Sequence, residues 1–325
     1  MESASKQATK LAWAGDSENT ITIYDISSKT KFRSFAGVTS APAWGQSFTY
    51  VEHIPNSNYL ISLHHYEDTC ANFAVYEFSS EKSKQLFELG VVQGEVGQGD
   101  LAYHAKSNIA ALIPDGEFIA YHLFDYTELK VLKKAKRPPL EASPINSFSF
   151  NDDGKHIAAM SKNSVLLISD VDSGAYSLTY AFHQEREFSG NLCRWNPLPM
   201  SNTIAVKYSF YLDFFEIEKQ SVLFDINADT EIGRIAWHPE GNLIGYSFQK
   251  VISILDVREK KPIKIFDKLH SSTVGTLRWS PDGKLLASGS ENGDMKVLDM
   301  SNESVCFETN NGDGFRAMGA CFLQD

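Results

Sequence analysis

Several kinds of chemistry are missing from this chain, and each absence removes a class of function. No stretch approaches about 18 uninterrupted apolar residues, so no membrane-crossing helix is expected. The opening MESASKQATK has no apolar core, so it is not read as a secretory signal. The four cysteines (Cys70, Cys193, Cys306 and Cys321) form no CxxC and no paired spacing. They read as reduced thiols in an intracellular protein, cytoplasmic or nuclear. Basic charge is short: 30 Lys and Arg stand against 41 Asp and Glu, a formal net charge of −11. A protein that neutralises many phosphates needs a basic face, so direct nucleic-acid binding is disfavoured.

Catalytic patterns are missing too. There is no GxSxG elbow; the nearest, GYSF at 245–248, lacks its second glycine. None of the nine histidines belongs to an HExxH. The glycines of GEVGQG (94–99) precede no helical pattern that could present amides to phosphate. His64, His65, Glu67, Asp68 and Cys70 are neighbours in a strand-like run, where side chains alternate between faces and do not converge on one ion. No catalytic residue, metal or cofactor is expected.

What is present is repetition. An aromatic or histidine marker, followed by a turn, recurs in VEHIP (His53), LAYHA (Tyr103), FSFND (Phe150), CRWNP (Trp195), IAWHP (Trp237), LRWSP (Trp279) and ACFLQ (Phe322). Turn formers and an apolar strand follow the first six, as in PDGKLLASG. A third strand closes on an acid at Asp25, Glu77, Asp125, Asp170, Glu216, Asp256 and Asp299. A fourth, less regular strand comes next, as in PIKIFD and SVCFE. Four short strands per unit, with no helical pattern between, predict an all-β propeller of seven four-stranded antiparallel blades. Residues 8–26 supply strands without a first strand ahead of them, and 314–323 supply a first strand with nothing after. The termini are therefore expected to share one blade and remove the open sheet edges. The expected layout is a single unit over 1–325 with a tail at 1–7. Its closing blade takes 8–46 plus 314–325; the others take 47–96, 97–143, 144–188, 189–230, 231–272 and 273–313.

Residues 269–300 resemble the WD-repeat family. His270 matches that family's histidine before the first strand, and Ser288 its second-strand hydroxyl. Asn292 stands at its turn aspartate, and Leu298 replaces its tryptophan. The resemblance implies a hydrogen-bonded blade lock, reduced here to His270, Ser288 and Asn292. It implies loops displayed on one broad face around a central channel, and a non-enzymatic scaffold within a multi-protein complex, binding proteins or peptides. No Trp-Asp dipeptide occurs. As architecture the resemblance covers nearly the whole chain; as motif it covers the last third.

Counting four residues back from each marker places Thr49, Gly99, Asn146, Asn191, Gly233, Gly275 and Met318 around the channel mouth. This small, polar ring lacks the aromatic walls that clamp an inserted cation. Contact through loops is expected instead, since loops on a rigid scaffold concentrate binding residues. Aromatics and arginine dominate binding hot spots, which singles out Trp44, Phe48, Tyr66, Glu67, Arg186, Phe188 and Arg316. For Trp44 the competing reading is a ring folded back onto the rim. Lys130, Lys133, Lys134, Lys136 and Arg137 form a basic run, read either as a contact or import signal or as protection of a strand edge. Two rival functions remain open: an RNA-processing or chromatin propeller using that run, and a hydrolase or lactonase with its site in the channel.

Overall fold

Period-two alternation of β-branched and aromatic residues, punctuated by turn formers, leaves no segment with helical periodicity. The structure is a computed structural model. It describes residues 10–15, 20–36, 46–54, 57–66, 70–78, 84–89, 102–104, 107, 109–112, 122–125, 130–134, 145–182, 190–310 and 317–323. These form seven four-stranded antiparallel sheets and no α-helix. Sheet I joins the chain's two ends: β1 (Lys10–Gly15), β2 (Thr20–Asp25) and β3 (Thr30–Ala36) are met by the last strand, β28 (Ala317–Leu323), in the order β28-β1-β2-β3. Sheet II holds β4 (Gln46–His53), β5 (Tyr59–Tyr66), β6 (Cys70–Glu77) and β7 (Lys84–Leu89). Sheet III holds β8 (Ala102–His104), β9 (Ile109–Leu112), β10 (His122–Asp125) and β11 (Lys130–Lys134). Sheet IV is β12 (Ile145–Phe150), β13 (His156–Ser161), β14 (Val165–Asp170) and β15 (Tyr176–Ala181). Sheet V is β16 (Leu192–Trp195), β17 (Thr203–Tyr208), β18 (Tyr211–Glu216) and β19 (Ser221–Asn227). Sheet VI is β20 (Ile232–Trp237), β21 (Leu243–Phe248), β22 (Val251–Asp256) and β23 (Lys261–Phe266). Sheet VII is β24 (Val274–Trp279), β25 (Leu285–Ser290), β26 (Asp294–Asp299) and β27 (Ser304–Asn310).

Six pairs of sheets that are neighbours in sequence, counting the last with the first, pack face to face among the described residues. Ile204, Val206 and Phe215 of sheet V lie against Met160, Leu166 and Ile168 of sheet IV, with Trp195 in the same cluster. Equivalent clusters join sheets III and IV, V and VI, and VI and VII. Sheet I packs on both sides. Ile21, Ile23 and Cys321 meet Val51 and Leu60 of sheet II, while Leu11, Trp13 and Phe322 meet Ala287, Val297 and Phe307 of sheet VII. The outermost strands are the wettest: β23 is exposed along most of its length, whereas β25 is buried throughout.

The third-strand acids have a local purpose. All seven third strands end on the acid, and among the described turns four are held by its Oδ1, which accepts backbone N–H groups. Asp25 takes Ser28 at 2.8 Å, Asp170 takes Ser173 at 2.6 Å, Asp256 takes Arg258 at 2.8 Å and Asp299 takes Ser301 at 2.9 Å. These side chain to backbone bonds fix the turn into the fourth strand. Wherever the residue four after the acid is described it is left-handed: Lys29, Gly174, Gln220, Lys260 and Glu303 have φ between 50° and 68°.

Candidate functional site

First strands carry the geometry on which a binding face depends. Four of them skip a residue in register near their start, at Thr49, Asn146, Gly233–Arg234 and Gly275. In sheet I the skip falls at Met318, opposite Ala14/Gly15. A bulge adds one residue to one strand, raises the local twist and re-aims the chain. The residues that counting back places around the channel mouth are in five sheets the bulged residues. Asn191 lies immediately before β16, and Gly99 lies outside the described residues. Asn146 is 2% exposed, and among the described residues its amide has no hydrogen-bond partner.

Each described entry into a first strand is tied to the hairpin turn between the second and third strands of the preceding sheet. The Asn191 Nδ2 donates to the carbonyls of Ser161 and Lys162, both at 3.0 Å, and to Ser164 Oγ at 3.2 Å. Ile232 N donates to the Ser209 carbonyl at 2.9 Å, and Val274 N to the Gln249 carbonyl at 2.8 Å. Lys207 adds a side-chain tie: Nζ donates to the Gly190 carbonyl at 2.9 Å and lies 3.7 Å from Glu231 Oε1. In these three cases the connection and the hairpin turn therefore share one face and are fastened to each other by polar contacts.

The opposite end of the first strands has its own ties, which the sequence reading passed over. His104 Nε2 donates to the Asp152 carbonyl at 2.8 Å, Asn196 Nδ2 to the Gly241 carbonyl at 2.9 Å, and His238 Nε2 to the Gly283 carbonyl at 3.2 Å. Each donor directly follows a marker and reaches the first turn of the next sheet. The glycines beneath them, Gly154, Gly241 and Gly283, have φ of 70°, 62° and 72°. A Cβ on any of them would fall on the clasping side chain. Marker tryptophans add a bond in the other direction: Trp237 Nε1 donates to the Arg194 carbonyl at 2.9 Å and Trp279 Nε1 to the Ala236 carbonyl at 3.1 Å. The signal was present in the quoted motifs, in the polar residue of LAYHA, CRWNP and IAWHP.

On the inner side at that end, Glu52, His53, Tyr103, Arg278, Trp279, Pro281, Cys321 and Phe322 enclose a cleft of about 50 Å3. Arg278 Nε lies 3.7 Å from Glu52 Oε2 across it. Four sheets contribute, but the space suits one or two waters, at about 30 Å3 each, and not an organic substrate.

His270 Nε2 and Ser288 Oγ are 2.8 Å apart and both are buried. Burial, with Lys296 nearby, holds His270 down at about 4, so the ring is neutral at pH 7. Asn292 is not bonded to this pair: its Nδ2 donates to Ser271 Oγ at 2.8 Å, its Oδ1 accepts from Ser290 Oγ, and Leu298 is buried without a polar atom. Of the loop candidates, Trp44, Glu67, Arg186, Phe188 and Arg316 lie outside the described residues; Phe48 and Tyr66 are placed on β4 and β5 by backbone alone. Lys130, Lys133 and Lys134 lie on β11, the outermost strand of sheet III. Lys136 and Arg137 fall outside the description. Glu67 and Asp68 of the His64–Cys70 run do as well, and among the described residues no three potential ligands are grouped for a metal.

Comparison with known families gives a match near the C-terminal end. Residues 260–299 match the family model of the WD domain, G-beta repeat, which agrees with a WD-repeat protein and with the all-β sheets above. The matched segment runs from the last strand of sheet VI to Asp299 at the end of β26, so one sequence repeat straddles two sheets. No curated protein matches the chain. A WD repeat points in general to a scaffold for protein–protein interaction. No helix among the described residues is long and apolar enough to cross a membrane.

Proposed function

We propose that the seven sheets close into one seven-bladed propeller over residues 1–325, and that it serves as a non-enzymatic platform for protein partners in a multi-protein intracellular complex. The observation that carries this reading is the fastening of each described strand entry to the preceding hairpin turn, through Asn191, Ile232 and Val274. Loops held this way keep one arrangement before a partner arrives, so less conformational entropy is lost on binding. The family match over 260–299 favours the same reading. The partner surface is assigned to the loop-bearing face, with Trp44, Phe48, Tyr66, Glu67, Arg186, Phe188 and Arg316 as anchors. His270 and Ser288 act as the blade lock. The edge position of β11 favours edge protection for the basic run, because lysines on an outer strand discourage pairing with another chain.

The test is chemical crosslinking of the purified complex, followed by W44A and R186A. Crosslinks are expected on the connections between sheets, and each variant should weaken partner capture about tenfold while the melting temperature stays unchanged. Crosslinks confined to the outer strands, or full capture by both variants, would sink the assignment.

A further inference from the structure

At the end of the molecule opposite the loop-bearing face, the turn from β16 to β17 differs from its equivalents in sheets IV, VI and VII. Those sheets cross from first to second strand in five residues, 151–155, 238–242 and 280–284, whereas sheet V takes seven, 196–202. The shorter turns expose charged residues, Asp153, Glu240 and Lys284. Sheet V instead exposes Pro197, Leu198, Pro199 and Met200 in succession, with Leu198 at 39% and Met200 at 94%. A single apolar side chain in water needs no explanation, but a contiguous group of them marks a surface that meets something else.

The turn is fastened from both ends. The Asn196 side chain that clasps Gly241 also takes Leu198 N on its Oδ1 at 2.9 Å. Trp195 Nε1 donates to the Ser201 carbonyl at 2.8 Å, and Ser201 N donates to the Leu198 carbonyl at 3.1 Å. Leu198 rests on Gly241 of sheet VI, where an added Cβ would come within 2.6 Å of its Cγ. Pro199 and Met200 are then the central residues of a turn, with φ of 59° at Met200. Proline second and a left-handed residue third is the type II arrangement, which favours Gly or Asn at the third place. A methionine there is strained and touches almost nothing of its own chain, so its presence is not explained by the fold.

A projecting apolar turn fits a groove, and methionine adapts its shape to an apolar wall better than branched side chains do. Because the turn is already set, little freedom is lost when it is buried. Acids flank it: Asn202 Nδ2 donates to the exposed Glu218 at 2.7 Å, and the exposed Glu240 adjoins the Gly241 on which Leu198 rests. Lys219 is the neighbouring cation, in a chain whose net charge is −11. We infer that Leu198 and Met200 insert into an apolar groove rimmed by Lys or Arg on a protein partner other than this chain. Like charge on this acidic end disfavours a second copy as the occupant. The surface lies opposite the loop-bearing face and adds a second docking place to the platform reading.

The test places the photo-crosslinking residue p-benzoylphenylalanine at position 200 of the full chain in its purified complex, and at position 284 as the comparison. Position 200 should link to one partner, at an apolar segment with Lys or Arg beside it, and position 284 should not. That partner, purified, is then titrated against variants by interferometry. M200G relieves the left-handed backbone, so it should keep or raise the melting temperature and yet weaken binding about tenfold. The double variant E218Q/E240Q should weaken binding several-fold, an effect that fades in about 0.5 M salt. A link to a second copy of the chain, equal linking from both positions, or full binding by M200G overturns the assignment and leaves the platform intact. So does a complex that crosslinks through its loop-bearing face but not from position 200. Binding that E218Q/E240Q leaves unchanged overturns the basic rim. A chain that links to no partner from either face counts against both readings.

Discussion

Lys207 sits on β17 with 2% of its surface exposed, tied to Gly190 and near Glu231. Burial holds its ammonium down at about 8, against the pull of Glu231 and with help from Arg234. The unfolded chain titrates this group near pH 10.4, so between about pH 8 and 10.4 the unfolded state binds more protons and stability rises with pH through this group. The free-energy difference between the unmodified chain and K207M should therefore climb by about 3 kcal/mol from pH 7.5 to 10.5 in denaturant titrations; a flat difference would mean an ordinary lysine. The cost is present at neutral pH, which is why the side chain has to hold something in return: the entries to β16 and β20. His270 belongs to the same scale. The sequence marked it by its place in the repeat, and the structure gives the bond to Ser288. Lys207 carried no such mark, since a lone lysine in the run IAVKYSF reads as an ordinary strand residue facing water.

At the level of strands and turns, the contact between His238 and Gly283 shows what the repeat unit is for. Gly283 is left-handed, and the His238 ring rests on it while packing edge-on against Trp279 at 4.8 Å. G283A should cost about 2–3 kcal/mol: roughly 1–2 kcal/mol for a Cβ at positive φ, and the remainder for displacing the ring. In an H238A background the penalty should shrink toward the backbone part alone, and an equal penalty in both backgrounds would rule out the clasp. Markers, turn glycines and third-strand acids were legible because they are local: each terminates a strand or supports a turn within a few residues. That Asn196 and His238 reach the next sheet was not legible, because their partners, Gly241 and Gly283, lie 45 residues away. The exposure of Met200 was opaque for a related reason. An apolar residue in a turn can fold back against a neighbouring sheet, as Leu198 does on Gly241, and only the packing of sheets V and VI shows which one stays in water.

For the whole molecule the decisive pairing is β28 with β1, where Lys10 to Gly15 run against Leu323 to Ala317. Truncation after residue 310 would strip the buried Phe322 and Ala320 from Leu11 and Trp13 and leave β1 as an open edge. At about 2–3 kcal/mol for one aromatic alone, the loss should exceed roughly 4 kcal/mol. The truncated chain should lose its cooperative melt and self-associate, and a synthetic peptide of residues 314–325 should restore the transition. A truncated chain that melts like the full one would mean that the ends do not clasp. By itself the sequence determined strand character, the seven-fold count of markers, the turn chemistry and the need for a C-terminal first strand, because each follows from side-chain periodicity and backbone preference over short spans. Only the tertiary structure decided which side chains of one sheet touch the next: the clasps, the tied entries to the first strands, and the contact of Leu198 with Gly241. These depend on how twisted sheets stack face to face, and that stacking is set by many weak contacts at once.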